Sequence, residues 1–108
     1  MLPKKNRVNK KDIDFLFKEG KFIVSANLIF RFILARDHVI TRISFIAPKR
    51  VAKLAVKRNM LRKRGYDVLK KYINQFPPGL IGVFVFKKYQ EDISIIEHEI
   101  KNALNKIN

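Results

Sequence analysis

From Lys49 to Arg64 the chain carries eight basic side chains and not one acid. Like charge that dense repels itself in a compact state, so it calls for a polyanionic partner. The block is nevertheless no polar tail. Leu54, Leu61, Gly65, Val68, Leu69, Tyr72 and Phe76 recur at spacings of three, four and seven, the signature of one face of an α-helix. The cations therefore belong to a helix whose other face is anchored in a core. That helix is expected to begin between Val51 and Arg58 and to run to about Asn74, after Pro48 ends a strand and before Pro77-Pro78-Gly79 turns the chain. Glycine at position 65, on the apolar stripe, costs about 1 kcal/mol against alanine, and a close approach of helix to sheet is the expected return.

The remaining elements follow from periodicity. Asn9 reads as a helix N-cap with Asp12 three residues on, and Gly20 as the stop, placing a first helix at about Lys10 to Glu19 with Ile13, Leu16 and Phe17 on one face. Phe15 points elsewhere, where a partly buried aromatic at the edge of the core is the ordinary expectation. Phe22 to Val24 reads as a short strand. Asn27 to Arg36 alternates, with Leu28, Phe30, Phe32 and Leu34 on one face. Asp37-His38 signals a turn, and Val39 to Ala47 returns as a third strand. Arg31 and Arg42 stand among apolar neighbours, and unpaired buried cations are costly, so both are expected at an open sheet face or edge. Leu80 to Phe86, almost continuously apolar, reads as a strand buried on both faces. Ser94 with Glu97 reads as a capping box for a last helix whose inner face is Ile96, Ile100, Ala103, Leu104 and Ile107. The expected fold is an α+β single domain over residues 1–108, in the order α-β-β-β-α-β-α.

With 24 Lys plus Arg against 9 Asp plus Glu, the formal charge of +15 points to nucleic acid or an anionic surface. No cysteine is present, which excludes disulfides and thiolate metal sites. Neither a signal peptide nor a membrane span is legible, so a cytoplasmic protein without membrane attachment is expected. No catalytic constellation or metal-ligand spacing stands out: His38 and His98 are far apart, and the carboxylates are scattered except for Asp12 with Asp14 and Glu91 with Asp92, which suit helix starts. On the basic helix, Asn59, Arg62, Lys63, Tyr66 and Lys70 fall within about a third of the circumference at 100° per residue, and Lys53, Lys57, Arg64 and Lys71 group on another side. Arginine forks and asparagine suit phosphate and sugar oxygens; the bland alternative is a solvated basic face. Unpaired bases would stack on an exposed aromatic beside cations. Phe17, Phe30 and Phe32 are the candidates, with core packing as the competing role for each.

Asn6-Arg7, Asp12, Phe17-Lys18-Glu19-Gly20, Lys49-Arg50 and Ala55-Val56-Lys57-Arg58-Asn59 together resemble the bacterial ribonuclease P protein family over nearly the whole chain. The family's Arg-Asn-Arg signature is matched at Arg58 and Asn59, while Met60 stands in its third place. Arg62-Lys63 keep the following charges, and Tyr66 stands where a further arginine is usual. The resemblance implies a four-stranded sheet packed by helices, similar to a domain of a small-subunit ribosomal protein, with a left-handed crossover. It implies a subunit, one copy per RNA, of the endoribonuclease that removes the 5′ leader of precursor tRNA. Lys49, Arg50, Lys53, Arg58, Asn59, Arg62, Lys63 and Tyr66 would meet the catalytic ribonuclease P RNA, and Ile13, Phe17 and Arg31 the leader. Mg²⁺ would be held mainly by the RNA, which performs the hydrolysis. The alternative is a non-enzymatic RNA-binding protein of ribosomal type.

Overall fold

A computed structural model of the chain describes residues 7–34 and 40–107. The expected turn at Asp37-His38, the start of the third strand at Val39 and Asn6 of the lead-in lie outside the described residues. The elements are α1 (Lys10–Glu19), β1 (Lys21–Val24), β2 (Leu28–Leu34), β3 (Arg42–Ile46), α2 (Ala55–Leu69), a 3-10 turn (Ile73–Gln75), β4 (Leu80–Phe86) and α3 (Ile93–Ile107). The expected order therefore stands. The strands form one mixed sheet, β1-β2-β4-β3. β1 and β4 each run antiparallel to β2, whereas β3 and β4 are parallel, joined by the crossover through α2.

Each face of the sheet has its own core. Leu28, Phe30, Phe32, Ile43, Phe45, Leu80, Phe84 and Phe86 project to the side covered by α2 and α3. Phe30, Phe84 and Phe45 are cross-strand partners, so their rings lie in a row: 4.2 Å separates the first two centroids and 5.1 Å the next two. Offset stacking of this kind adds to the gain from burial. The opposite face holds Ile81, Val83 and Val85 beneath Leu16 of α1, with Val8, Ile33 and Ile46 at the margin. Leu16 is fully buried, worth about 2 kcal/mol of transfer free energy, and is the one buried side chain of α1. A helix held by so narrow a contact leaves much of the sheet beside it open.

Local signals explain most boundaries. Asn9 Oδ1 accepts the Asp12 N–H at 2.9 Å, and the Gly20 N–H closes α1 on the Leu16 carbonyl. The basic helix is shorter than expected: after Leu69 the Lys71 and Tyr72 N–H groups bond the carbonyls three residues back, at 3.1 and 2.9 Å. The last turn thus tightens toward 3-10 geometry, and Phe76 reaches the core from beyond the helix. Leu54, expected on the apolar stripe, is the N-cap residue and 62% exposed. The capping box is also revised. Asp92 precedes α3 and its Oδ1 accepts both the N–H and the hydroxyl of Ser94, at 2.9 and 2.6 Å. A carboxylate is the stronger acceptor for these orphan donors, so Ser94 lies inside the helix. Glu97 instead accepts the Tyr72 hydroxyl and faces Lys71 at 4.0 Å. Hydrogen bonds from Ser94 hold the Asp92 carboxyl below its usual range.

Candidate nucleic-acid interface

Pro48 ends β3 and starts a turn in which the Val51 and Ala52 N–H groups both bond the Pro48 carbonyl. Ala52 is buried, so the turn is pinned, while Lys49, Arg50 and Lys53 around it are exposed. Lys53 precedes the helix and is not part of its second basic group. Arg58, half-buried, donates from Nη1 to the carbonyls of Ala52 at 3.0 Å and Lys53 at 2.7 Å. The first arginine of the signature therefore fastens the basic turn to α2. The start of α2 has no side-chain cap and no acid in its first turn. Its positive dipole end and its cations point the same way, an arrangement that favours an anion.

Along α2, Lys57, Asn59, Lys63 and Lys70 are exposed. Asn59 Oδ1 accepts from the Arg62 guanidinium, which aims this amide and the arginine as a unit. Arg64 is drawn aside, its Nη1 donating to the Glu91 carbonyl at 2.5 Å. Tyr66 requires a correction. It is only 5% exposed, its hydroxyl accepts the Phe45 N–H at 3.1 Å, and its ring stands edge-on to Phe45 at 5.2 Å. Its place at the wall of the cleft is explained by Gly65. A Cβ there would lie 2.6 Å from two Phe45 ring carbons, so glycine lets α2 come so near β3 that the next side chain is also captured. Tyr66 is a core residue bonded to the sheet, not a member of the cationic surface.

A cleft of about 550 Å³ runs between the start of α1, β3 and α2, lined by Ile13, Arg42, Ser44 and Ile46 together with Arg7, Arg62 and Tyr66. Three arginines from distant parts of the sequence thus meet one hollow. Arg42 is partly balanced by Asp12 at 3.6 Å, and the Ser44 hydroxyl accepts the Val8 N–H at 2.7 Å, which ties the lead-in to β3. The expectation that Arg42 reaches an open face is met here.

Further along α1, Phe17 is 44% exposed, and the Arg31 guanidinium stands 5.0 Å from its ring centroid and 5.5 Å from that of Phe22. The structure therefore joins Phe17 to Arg31, while Ile13 lies at the cleft. Phe30 and Phe32 are buried, 1% and 9% exposed, and are no stacking surface. Phe15, expected at the edge of the core, is 49% exposed. Sequence reasoning missed Phe22, because only the cross-strand register identifies its neighbour. Glu99 was missed too. This buried carboxylate accepts Ser25 Oγ at 2.5 Å, Asn27 Nδ2 at 2.6 Å and the N–H groups of Asn27 and Leu28 at 2.9 and 3.0 Å. Burial pushes its pKa up, but these four donors outweigh it and hold the group below its usual value. It anchors the β1–β2 turn to α3 and so fixes the hairpin that carries Phe22 and Arg31.

Among the described residues no helix is long and apolar enough to cross a membrane. The fold is shared with solved structures of low sequence identity. The ribonuclease P protein of Staphylococcus aureus superposes with a TM-score of 0.84 at 13% identity, over 97% of each chain. That of Thermotoga maritima gives 0.81 at 19% identity, covering 94% of this chain and 97% of the other. No curated protein matches the sequence. A family model described as Ribonuclease P matches residues 2–108, and with its turn of pinned cations, its basic helix and its α+β fold this chain belongs to that family.

Proposed function

We propose that the chain serves as the protein subunit of ribonuclease P, binding the catalytic RNA by the β3–α2 turn and α2 and the 5′ leader of precursor tRNA by α1 and the adjoining sheet face. The observation that carries this reading is the arrangement of two unlike surfaces on one rigid sheet. One is cationic and built for phosphate: Lys49, Arg50 and Lys53 on a turn that Arg58 secures, continued by Asn59, Arg62 and Lys63. The other is mixed, an arginine between exposed rings, which suits unstacked bases. Tyr66 supports the first surface from within by bonding α2 to β3.

In this reading the protein binds and orients, and the RNA hydrolyses the phosphodiester bond. Mg²⁺ supplies the electrophilic chemistry when bound. In this reading the donors for Mg²⁺ would be mainly RNA phosphates. The charge of +15 lowers the repulsion between catalytic RNA and substrate. That makes the protein's effect greatest when divalent cations are scarce.

The test is cleavage of precursor tRNA at low Mg²⁺ by a bacterial ribonuclease P RNA, with and without the protein, using the species-matched RNA. Protein-dependent cleavage at the 5′ end of the mature tRNA is expected. Absence of stimulation, with binding to other RNAs retained, would overturn the reading and leave an RNA-binding protein of ribosomal type.

A further inference from the structure

Of the nine phenylalanines, Phe30, Phe32, Phe45, Phe76, Phe84 and Phe86 are in the core, whereas Phe15, Phe17 and Phe22 are exposed and all lie on α1 or β1. Phe22 is the most exposed of them, at 62%. It sits on the edge strand, paired with Arg31 of β2. Directly paired residues of antiparallel strands project from the same face. That face is the one under α1, because Val83, the β4 partner of Arg31, packs with Leu16. Its strand neighbour Ile23 points to the other side and packs on the larger core. The Phe22 ring thus contributes nothing to either core, yet it stands 5.5 Å from a guanidinium that also lies 5.0 Å from Phe17. Both distances are within the range of cation–π attraction.

We propose that Phe22 is a second base-stacking position for the single-stranded 5′ leader, one step beyond Phe17, with Arg31 between the two rings. This rests on the leader-binding reading above and extends it from α1 to the edge strand. Ring, cation, ring is the order that meets base, phosphate, base along a single strand. Among the described residues no carboxylate forms a salt bridge with Arg31; the two ion pairs are Arg42–Asp12 and Lys71–Glu97. Its charge is therefore open to a leader phosphate while its plane supports the rings. Val24, 48% exposed and two residues along the same face, continues the apolar strip. A second copy of this chain is a poor occupant, since it would bring together two chains of net charge +15 each.

The experiment uses holoenzyme reconstituted with the species-matched RNA. Dissociation constants are measured for mature tRNA and for precursor tRNAs whose leaders grow by single nucleotides, with wild type, Phe17→Ala, Phe22→Ala, Phe22→Leu and Phe22→Tyr. Phe22→Ala and Phe22→Leu are expected to weaken binding about 5-fold or more, only for leaders long enough to pass Phe17. Phe22→Tyr is expected to bind as wild type, and mature tRNA to bind all variants equally. Three results would overturn the assignment. A leader-length profile for Phe22→Ala identical to wild type, while Phe17→Ala alters it, removes Phe22 and leaves the leader reading intact. A Phe22→Leu variant as good as wild type shows apolar cover in place of stacking. Equal wild-type binding of leader-bearing and mature tRNA removes the leader reading and Phe22 with it.

Discussion

Replacing Gly65 by alanine sets two known effects against each other. Alanine in a helix interior is favoured over glycine by about 1 kcal/mol. The new Cβ, however, would lie 2.6 Å from two carbons of the Phe45 ring and 2.9 Å from a third. A flexible side chain could swing away, but Phe45 is 3% exposed, with Phe84 stacked at 5.1 Å and Tyr66 edge-on at 5.2 Å. Relief therefore means moving α2 outward. Overpacking of this kind costs about 1–3 kcal/mol, and displacement also strains the Tyr66–Phe45 hydrogen bond, worth about 1 kcal/mol. The steric loss exceeds the propensity gain, leaving Gly65→Ala less stable by about 1–2 kcal/mol, a melting temperature lower by roughly 5–10 °C in a domain of this size. Thermal unfolding followed by far-ultraviolet circular dichroism reads this directly. A cycle with Phe45→Leu separates the two effects: once the ring is gone, Gly65→Ala should become neutral or stabilising, approaching the gain of about 1 kcal/mol. If Gly65→Ala raises the melting temperature while Phe45 is intact, the helix does not lie that close to β3, and the account of Tyr66 as a captured core residue fails with it.

Arg62→Ala is expected to weaken binding to the catalytic RNA and to reduce the slope of log K against log salt by about 1, the loss of one phosphate contact; an unchanged slope would place Arg62 away from phosphate. Phe17→Ala should weaken leader-bearing substrate about 5- to 100-fold and mature tRNA not at all, so equal losses on both in holoenzyme binding assays would assign Phe17 to packing. Glu99→Gln should destabilise the protein at neutral pH by about 1–3 kcal/mol, since a charged acceptor of four donors becomes a neutral one. The wild-type carboxyl has its pKa lowered in the fold, so its contribution is complete above the unfolded value near 4.3 and is lost as pH falls through the folded one; urea unfolding should show the two proteins converging as pH falls below about 4.3, and a constant gap would contradict the charge-based account.

What the sequence makes legible here is what one element can state alone. Asn9 and Asp12 announce a helix start, Leu80 to Phe86 announces a buried strand, and the spacing of Leu61, Gly65, Val68 and Leu69 announces which side of α2 faces inward; the structure has all three. The errors fall where two elements decide together. A helical wheel puts Tyr66 beside Arg62 and Lys63 because it counts angle alone, whereas the depth to which a side chain is buried depends on how near the sheet the axis runs, which Gly65 and Phe45 settle jointly. Ser94 with Glu97 is a sound local pattern, overridden because Asp92 offers a stronger acceptor and Tyr72, distant in sequence, takes up Glu97.

The same distinction separates the two parts of the interface. Cations concentrated in one turn and one helix can be found by reading along the chain, and Lys49, Arg50, Asn59, Arg62 and Lys63 all lie at or near the surface. The paired rings around Arg31 exist only because the β1–β2 register sets Phe22 opposite Arg31 and because Leu16 lays α1 across β4. Glu99 holds that hairpin from the far side of the sheet, with no mark in the sequence beyond a carboxylate on the inner turn of an amphipathic helix. Its burial is therefore tied to the geometry of the mixed surface: four hydrogen bonds at the turn keep β1 against β2, and the spacing of the two exposed rings about one guanidinium follows from that. Loss of Glu99 should consequently disturb the surface formed by Phe17, Arg31 and Phe22, although α3 packs with α2 on the other face of the sheet.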